Sequence, residues 1–195
     1  MKSFIKTNVL HFVAVFKTKC GHKTQISPSV KIFGQCFIGN HVIIHSRSVL
    51  QCIRGGKLCI QDNSEFNVDC RIQACNSIVI GKNCIFGPRC FIGDGGHDYR
   101  NISCPIKDAP LISKGKIIIE DDCWIGVGSS IVGNVIIGKH SVVGANSVVT
   151  KNVPPYSVVA GNPAKILYQY NLDNKTWEKP SNSKFSKGDS KDGKN

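Results

Sequence analysis

An aliphatic residue recurs at every sixth position in the second half of this chain: Ile119, Ile125, Ile131, Ile137, Val143 and Val149. This period fits neither an amphipathic helix, which needs about 3.6 residues per turn, nor one continuous strand, whose side chains alternate with a period of two. Because six is a multiple of two, each unit accommodates a very short strand followed by a turn. The spacing therefore predicts an all-β chain built from an internal repeat.

The residue two positions before each aliphatic residue faces the same way, because strand side chains alternate. These partners are all small or apolar: Cys123, Ser129, Val135, Ser141 and Ser147. Three such hexads make one triangular coil, and stacked coils lie about 4.8 Å apart, the spacing of neighbouring strands. One coil cannot bury its inward residues alone, so the repeat predicts a stack of several coils with a cap at each end.

The same phase runs through the first half of the chain, from Ile26 to Ile92, with two interruptions. One lies at Arg54–Lys57 and the other at Ile78/Ile80, and we interpret both as enlarged turns at surface corners. On this register His41 and His140 occupy turn positions, and His45 points outward. These three histidines are therefore predicted to lie on the solvated surface.

The repeat stops between Asp94 and Lys116 and then resumes, which predicts a structureless loop extruded from the stack. Long loops inside compact domains are more often functional than not. The predicted organisation is an N-terminal cap segment over residues 1–25, a β-helix domain over 26–166 and a closing segment with a tail over 167–195. From residue 171 onward the polar composition predicts disorder.

The chain has ten cysteines but no CxxC pair. Half of them stand two residues before a core position of the repeat, where a thiol behaves as a compact hydrophobic group: Cys36, Cys70, Cys84, Cys90 and Cys123. Free core thiols are typical of a reducing compartment, so we expect a cytoplasmic protein.

The chain is strongly basic, with a formal net charge of +12. Aromatic residues make up only 8% of it and no arginine-rich run occurs, so nucleic acid is not the expected partner. A small ligand rich in phosphate fits the charge equally well. Lysines are mixed with apolar residues within residues 1–20, which predicts either a cap on the first coil or a weak contact with the inner membrane face.

The in-phase hexads followed by VVAGNPAKI resemble the hexapeptide-repeat acetyltransferases, including sugar, maltose and galactoside O-acetyltransferases and those of polysaccharide biosynthesis. The resemblance covers residues 80–166 along their length and residues 26–79 as repeat only. It implies a left-handed parallel β-helix with one extruded loop, assembled as a homotrimer with sites between subunits. It also implies acetyl transfer from acetyl-CoA to a hydroxyl of a small or lipid-linked saccharide, with no metal required.

The resemblance assigns the catalytic base to His97, in the GGHDY motif at the start of the loop. A second group is then expected on the other ring nitrogen, and Asp94 and Asp98 are the carboxylates nearest in sequence. The residues implied at the cofactor are Trp124, Gly126, Ala145, Thr150, Lys151 and Lys165. Those implied at the acceptor are Asn67, Asp69 and Asp94.

Several alternatives stay open at this stage. Within the same family they are an antibiotic O-acetyltransferase of the streptogramin or chloramphenicol type and a nucleotide-sugar N-acetyltransferase. A γ-type carbonic anhydrase shares the fold but needs three converging histidines, and His41 and His45 fall at different register positions. A non-catalytic trimeric scaffold is the last alternative, and the extruded loop with His97 argues against it.

Overall fold

The computed structural model describes residues 18–180. Residues 1–17 and 181–195 lie outside this range. They include most of the predicted N-terminal cap, most of the predicted membrane contact and the end of the predicted tail. The first coil already begins at Lys19, inside the segment predicted to be a separate cap, because Lys19 and Cys20 pair with Phe37 and Ile38 of the next coil.

Within the described residues the chain winds through six coils of three strands each. The first three coils contain β1 (Lys19–Cys20), β2 (Gln25–Ile26), β3 (Lys31–Phe33), β4 (Gln35–Ile38), β5 (Ile43–Ile44), β6 (Val49–Cys52), β7 (Lys57–Ile60), β8 (Glu65–Phe66) and β9 (Arg71–Ala74). The fourth contains β10 (Ser77–Ile80), β11 (Ile85–Phe86) and β12 (Phe91–Gly93).

The chain then leaves the stack to form β13 (Gly95–His97), a 3-10 turn (Ile106–Asp108) and β14 (Leu111–Ser113). The last two coils contain β15 (Lys116–Ile119), β16 (Trp124–Ile125), β17 (Ser130–Val132), β18 (Val135–Ile137), β19 (Val142–Val143) and β20 (Val148–Val149). Three further strands close the stack: β21 (Ser157–Gly161), β22 (Ala164–Asn171) and β23 (Thr176–Glu178).

Each coil contributes one strand to each of three parallel sheets, which form the three faces of a prism. We call them sheet A, with the first strand of each coil, sheet B, with the second, and sheet C, with the third. Equivalent residues of successive coils pair in register, as in the ladder Ile60, Ile80, Ile119 and Ile137. The predicted left-handed parallel β-helix with one extruded loop is confirmed.

The core consists of the residues that the hexad register assigns inward. From Ile38 to Val149 the predicted aliphatic positions are buried, and the five core cysteines are buried as well. The positions of His41 and His140 in turns are also confirmed, since both have a positive φ, of 57° and 55°. Alternation with a period of two thus decides which side chains enter the prism.

The extruded loop differs from its prediction, because it is not structureless. Strands β13 and β14 pair antiparallel, so the loop is a hairpin with a wide tip that leaves the corner between sheets C and A. The loop also ends one residue earlier than predicted, since Lys116 already belongs to β15.

The predicted disorder from residue 171 onward is wrong for the described part of that segment. Strand β23 pairs antiparallel with β22, and the rings of Tyr170 and Trp177 lie 5.3 Å apart. The polar residues between the strands form the turn, in which the Asn171 side chain accepts a hydrogen bond from the Asp173 amide at 2.9 Å. Composition alone does not distinguish such a turn from a flexible tail.

Candidate active site

The hairpin at the C–A corner holds His97 at the end of β13, directly opposite Leu111 of β14. The pairing continues beyond the strand, because the Asp98 amide donates to the Pro110 carbonyl at 3.0 Å. At the other end of the hairpin the Lys114 amide donates to the Asp94 carbonyl at 2.6 Å. The position of His97 is therefore set by backbone hydrogen bonds at both ends of the hairpin.

Asp94 anchors the root of this hairpin, a different role from the predicted acceptor contact. Its side chain is fully buried. Its two carboxylate oxygens accept hydrogen bonds from the backbone amides of Cys75, Asn76 and Ser77, at 2.5, 2.9 and 2.8 Å. Because both oxygens are already engaged by amides at the start of the fourth coil, Asp94 fixes where the chain leaves the stack.

The His97 ring is oriented by a backbone carbonyl and by neither nearby carboxylate. Its Nδ1 lies 2.9 Å from the carbonyl oxygen of Ala109, which only accepts hydrogen bonds, so Nδ1 carries the proton in this contact. The neutral ring then presents an unprotonated Nε2 from an exposed position. Asp98 instead binds Arg100 at 2.8 Å, and this hydrogen bond lowers the pKa of Asp98.

The predicted acceptor residues Asn67 and Asp69 lie at the corner between sheets B and C. The Asn67 side-chain oxygen accepts a hydrogen bond from the Val68 amide at 2.8 Å. Asp69 has a φ of 62° and receives two hydrogen bonds from Arg47, both at 2.7 Å, which lower the pKa of Asp69. Both side chains therefore already stabilise this turn and its stacking on the previous coil.

The predicted cofactor residues Trp124, Gly126 and Ala145 lie on sheet B and at the B–C corner. Trp124 is 54% exposed, between Ile85 and Val142 of the flanking coils. Gly126 is buried, and a β-carbon there would lie 2.7 Å from the Ala145 amide nitrogen. The close packing of neighbouring coils therefore explains why this position is a glycine. Ala145 itself is exposed.

Three further predicted cofactor residues are exposed at two places on the prism. Thr150 and Lys151 follow β20 and lie at the C–A corner, two coils beyond the His97 hairpin. Lys165 lies on β22 opposite Ala160 of β21, and therefore beside the B–C corner.

The structure thus divides the predicted site residues into two groups. The first occupies the C–A corner: Asp94, His97, Thr150 and Lys151. The second occupies sheet B and the B–C corner: Asn67, Asp69, Trp124, Gly126, Ala145 and Lys165. Sheet B is the face opposite the C–A corner, so one chain does not bring His97 and Trp124 together.

Two contacts were not predicted from the sequence, one of another histidine and one of the loop. His45 is not simply solvated, because its Nε2 lies 3.0 Å from Glu65 of the next coil. The Arg54 guanidinium reaches the Leu111 carbonyl of the hairpin at 2.9 Å. In the sequence, the interruption of the repeat at Arg54–Lys57 is the feature that marks this contact. Across residues 18–180, no three His, Cys, Asp or Glu side chains are grouped so as to hold a metal ion.

The described segment, residues 18–180, includes no helix with the length and apolarity needed to span a bilayer.

Comparison with known proteins agrees with this architecture. The family model described as "Bacterial transferase hexapeptide (six repeats)" matches residues 116–151. The putative lipopolysaccharide biosynthesis O-acetyl transferase WbbJ of Escherichia coli is 33% identical over 130 residues, which are 64% of this chain and 66% of that protein. The chain spans between 55% and 66% of the length of the first curated relatives it matches.

Solved structures show the same fold. AntD, an N-acyltransferase from Bacillus cereus, was crystallised as a variant with dTDP and coenzyme A. It superposes with a TM-score of 0.68 at 21% identity, covering 80% of this chain and 85% of AntD. The hexapeptide-repeat containing acetyltransferase from Vibrio cholerae superposes with a TM-score of 0.56 at 32% identity, covering 75% of this chain and 70% of that one. With its repeat, its extruded hairpin and this degree of identity, the chain belongs to the hexapeptide-repeat acetyltransferases.

Proposed function

We propose that this protein transfers an acetyl group from acetyl-CoA to a hydroxyl of a saccharide, with His97 as the general base. The observation that carries the proposal is the orientation of the His97 ring. Its Nδ1 is held by the Ala109 carbonyl at 2.9 Å, which leaves Nε2 as the proton acceptor on an exposed loop. A neutral imidazole held in one tautomer suits the deprotonation of a weakly acidic hydroxyl.

The reaction is a direct transfer without a covalent enzyme intermediate. Nε2 of His97 accepts the hydroxyl proton while the hydroxyl oxygen forms a bond to the thioester carbon. The carbon–sulfur bond of the tetrahedral intermediate then breaks, and the imidazolium returns its proton to the departing thiolate. A backbone N–H is the expected donor to the oxyanion.

We propose that the complete site forms between copies of the chain in a homotrimer. Support comes from the division of the predicted residues, since His97 leaves the C–A corner whereas Trp124 lies on the opposite face. The hairpin of one copy would face sheet B of the next. In this arrangement Lys151 and Lys165 supply positive charge for the phosphates of acetyl-CoA, and Trp124, Thr150 and Ala145 line the cofactor groove.

The acceptor is proposed to be a saccharide of a cell-surface polysaccharide or lipopolysaccharide, in line with the lipopolysaccharide role that the name of the E. coli relative gives to that protein. Asn67 is the proposed contact, because its side-chain nitrogen has no hydrogen-bond partner among the described residues and is available to a sugar hydroxyl. Asp69 is a weaker candidate, since Arg47 already engages both of its oxygens. The ten free cysteines support a cytoplasmic location.

The test is release of the CoA thiol from acetyl-CoA in the presence of sugars, nucleotide sugars, serine, a streptogramin and chloramphenicol. His97→Asn is compared with His41→Asn, because His41 is exposed and asparagine tolerates its φ of 57°. We expect His97→Asn to lower kcat by about 100-fold or more and His41→Asn to leave it unchanged. A His97→Asn protein with the wild-type rate would overturn the mechanism. Transfer to amino sugars alone would overturn the hydroxyl acceptor and identify an amine acceptor in its place.

A further inference from the structure

The first interruption of the repeat, at Arg54–Lys57, is an enlarged corner that the proposed chemistry does not use. Arg54 and Gly55 both adopt a positive φ, of 53° and 84°. The turn is closed by a hydrogen bond of 2.9 Å from the Gly56 amide to the Ile53 carbonyl. This corner joins sheet C to sheet A, and the extruded hairpin leaves the same corner two coils later.

The enlarged turn directs Arg54 along the prism to the hairpin. Its Nη1 donates to the carbonyl oxygen of Leu111 at 2.9 Å, although the two residues are 57 positions apart. Leu111 is the register partner of His97 in the β13–β14 pair. Arg54 therefore binds the strand that pairs with the His97 strand, and its hydrogen bond goes to Leu111 and not to His97.

Three consecutive carbonyl groups, those of residues 109–111, connect this contact to the imidazole. The Ala109 carbonyl accepts from Nδ1 of His97 at 2.9 Å, and the Pro110 carbonyl accepts from the Asp98 amide at 3.0 Å. The third, of Leu111, accepts from Arg54. Because the peptide units are rigid, a shift of this segment moves the carbonyl that holds the ring.

We propose that Arg54 is a positioning residue for His97, acting through the Leu111 carbonyl. Asp94 fixes the incoming strand of the hairpin on the amides of residues 75–77, and Arg54 fixes the returning strand, so the hairpin is held on both sides. A guanidinium suits this task because it stays charged and donates a charge-assisted hydrogen bond. The inference rests on the proposed function in one respect, namely that His97 is the base.

The kinetic test compares Arg54→Met, which keeps much of the side-chain length but no donor, with Arg54→Lys, which keeps a cationic donor. Arg71→Met is the matched control, because Arg71 is an exposed arginine of β9 outside the site. We expect Arg54→Met to lower kcat about tenfold, as small displacements of a catalytic group do, with the KM for acetyl-CoA within about twofold. Arg54→Lys should recover part of the loss, and Arg71→Met should match the wild type.

A double variant decides whether Arg54 acts through His97. In a His97→Asn background, Arg54→Met should cause no further loss of kcat, because the group that it positions is already gone. A loss of the same size in both backgrounds, or one that lysine does not relieve, would overturn the inference.

A second readout is independent of activity. The ¹⁵N chemical shifts of the His97 ring should show one Nδ1-protonated tautomer in the wild type and a mixture of tautomers in Arg54→Met. A wild type without transferase activity whose ring still responds in this way would reject the proposed function and retain the positioning role. An unchanged ring spectrum together with an unchanged kcat in Arg54→Met would reject the positioning role alone.

Discussion

The rings of Phe66 and Phe86 stack in neighbouring coils, with centroids 4.3 Å apart and planes within 8° of parallel. Both side chains are fully buried. Their register partners in the flanking coils are the smaller Ile44 and Ile125. The bulkiest buried side chains therefore lie in the third and fourth coils, directly before the hairpin leaves the stack.

Replacing one of these phenylalanines with a smaller residue should destabilise the whole stack. We expect Phe86→Ala to lower the free energy of unfolding by about 3–5 kcal/mol, because it leaves a cavity in a tightly packed core. Phe86→Ile should cost less, since isoleucine occupies the equivalent position of the next coil. Urea denaturation measures both, and an alanine variant within 1 kcal/mol of the wild type would contradict this view of the core.

Removing the charge of Asp94 should loosen the hairpin and lower stability. Asp94→Asn replaces one acceptor oxygen by a donor that faces backbone amides, so we expect a loss of about 2–3 kcal/mol in the free energy of unfolding. Asp108→Asn is the control, because Asp108 is exposed in the same loop and forms a surface ion pair with Lys107. Equal denaturation midpoints for Asp94→Asn and the wild type would show that the buried carboxylate is not needed.

The Arg47–Asp69 pair should make a pH-dependent contribution to stability. The hydrogen bonds from Arg47 lower the pKa of Asp69 in the folded state, so the folded state binds fewer protons than the unfolded state around that pKa. The stabilisation is fully present above the unfolded pKa of about 3.9 and is lost as the pH falls through the folded value. The difference in Tm between the wild type and Asp69→Asn should be constant at neutral pH and shrink in acid; a difference that grows in acid would be inconsistent with this sign.

Thiol reactivity tests the inward register directly. In the native protein the exposed Cys20 should react first with Ellman's reagent, and the five buried thiols should not react: Cys36, Cys70, Cys84, Cys90 and Cys123. All ten should react in denaturant. Rapid native labelling of Cys123 or Cys90, identified by mass spectrometry, would argue against the inward orientation.

The repeat and the hairpin differ in how far sequence alone predicts them. The inward orientation of Cys123 and Ile125 follows from their spacing, because side chains of a strand alternate and each coil repeats the last. The contact between Arg54 and Leu111 has no such periodicity, since a turn and a loop far apart in sequence meet only in the folded chain. The interruption at Arg54 was visible, but not its partner.

The orientation of His97 was unpredictable for a different reason. Its partner is a main-chain carbonyl, that of Ala109, and a backbone group has no signature in the sequence. The anchoring role of Asp94 was unpredictable for the same reason, because its three partners are backbone amides. In the segment after residue 171 the polar composition predicted disorder. Trp177 was the residue there that indicated packing, and its ring lies against that of Tyr170.

Strand β22 turns back antiparallel to β21 after the last coil. An open parallel stack presents strand edges on which a further coil, or another molecule, is able to continue the same hydrogen-bond ladder. An antiparallel strand changes the spacing of those hydrogen bonds, and the exposed Lys165 adds charge to this end. The β21–β22 pair therefore caps this end of the stack. Duplicated coils inserted before Ser157 should lengthen the β-helix. The same coils appended after Glu178 should fail to pair with it.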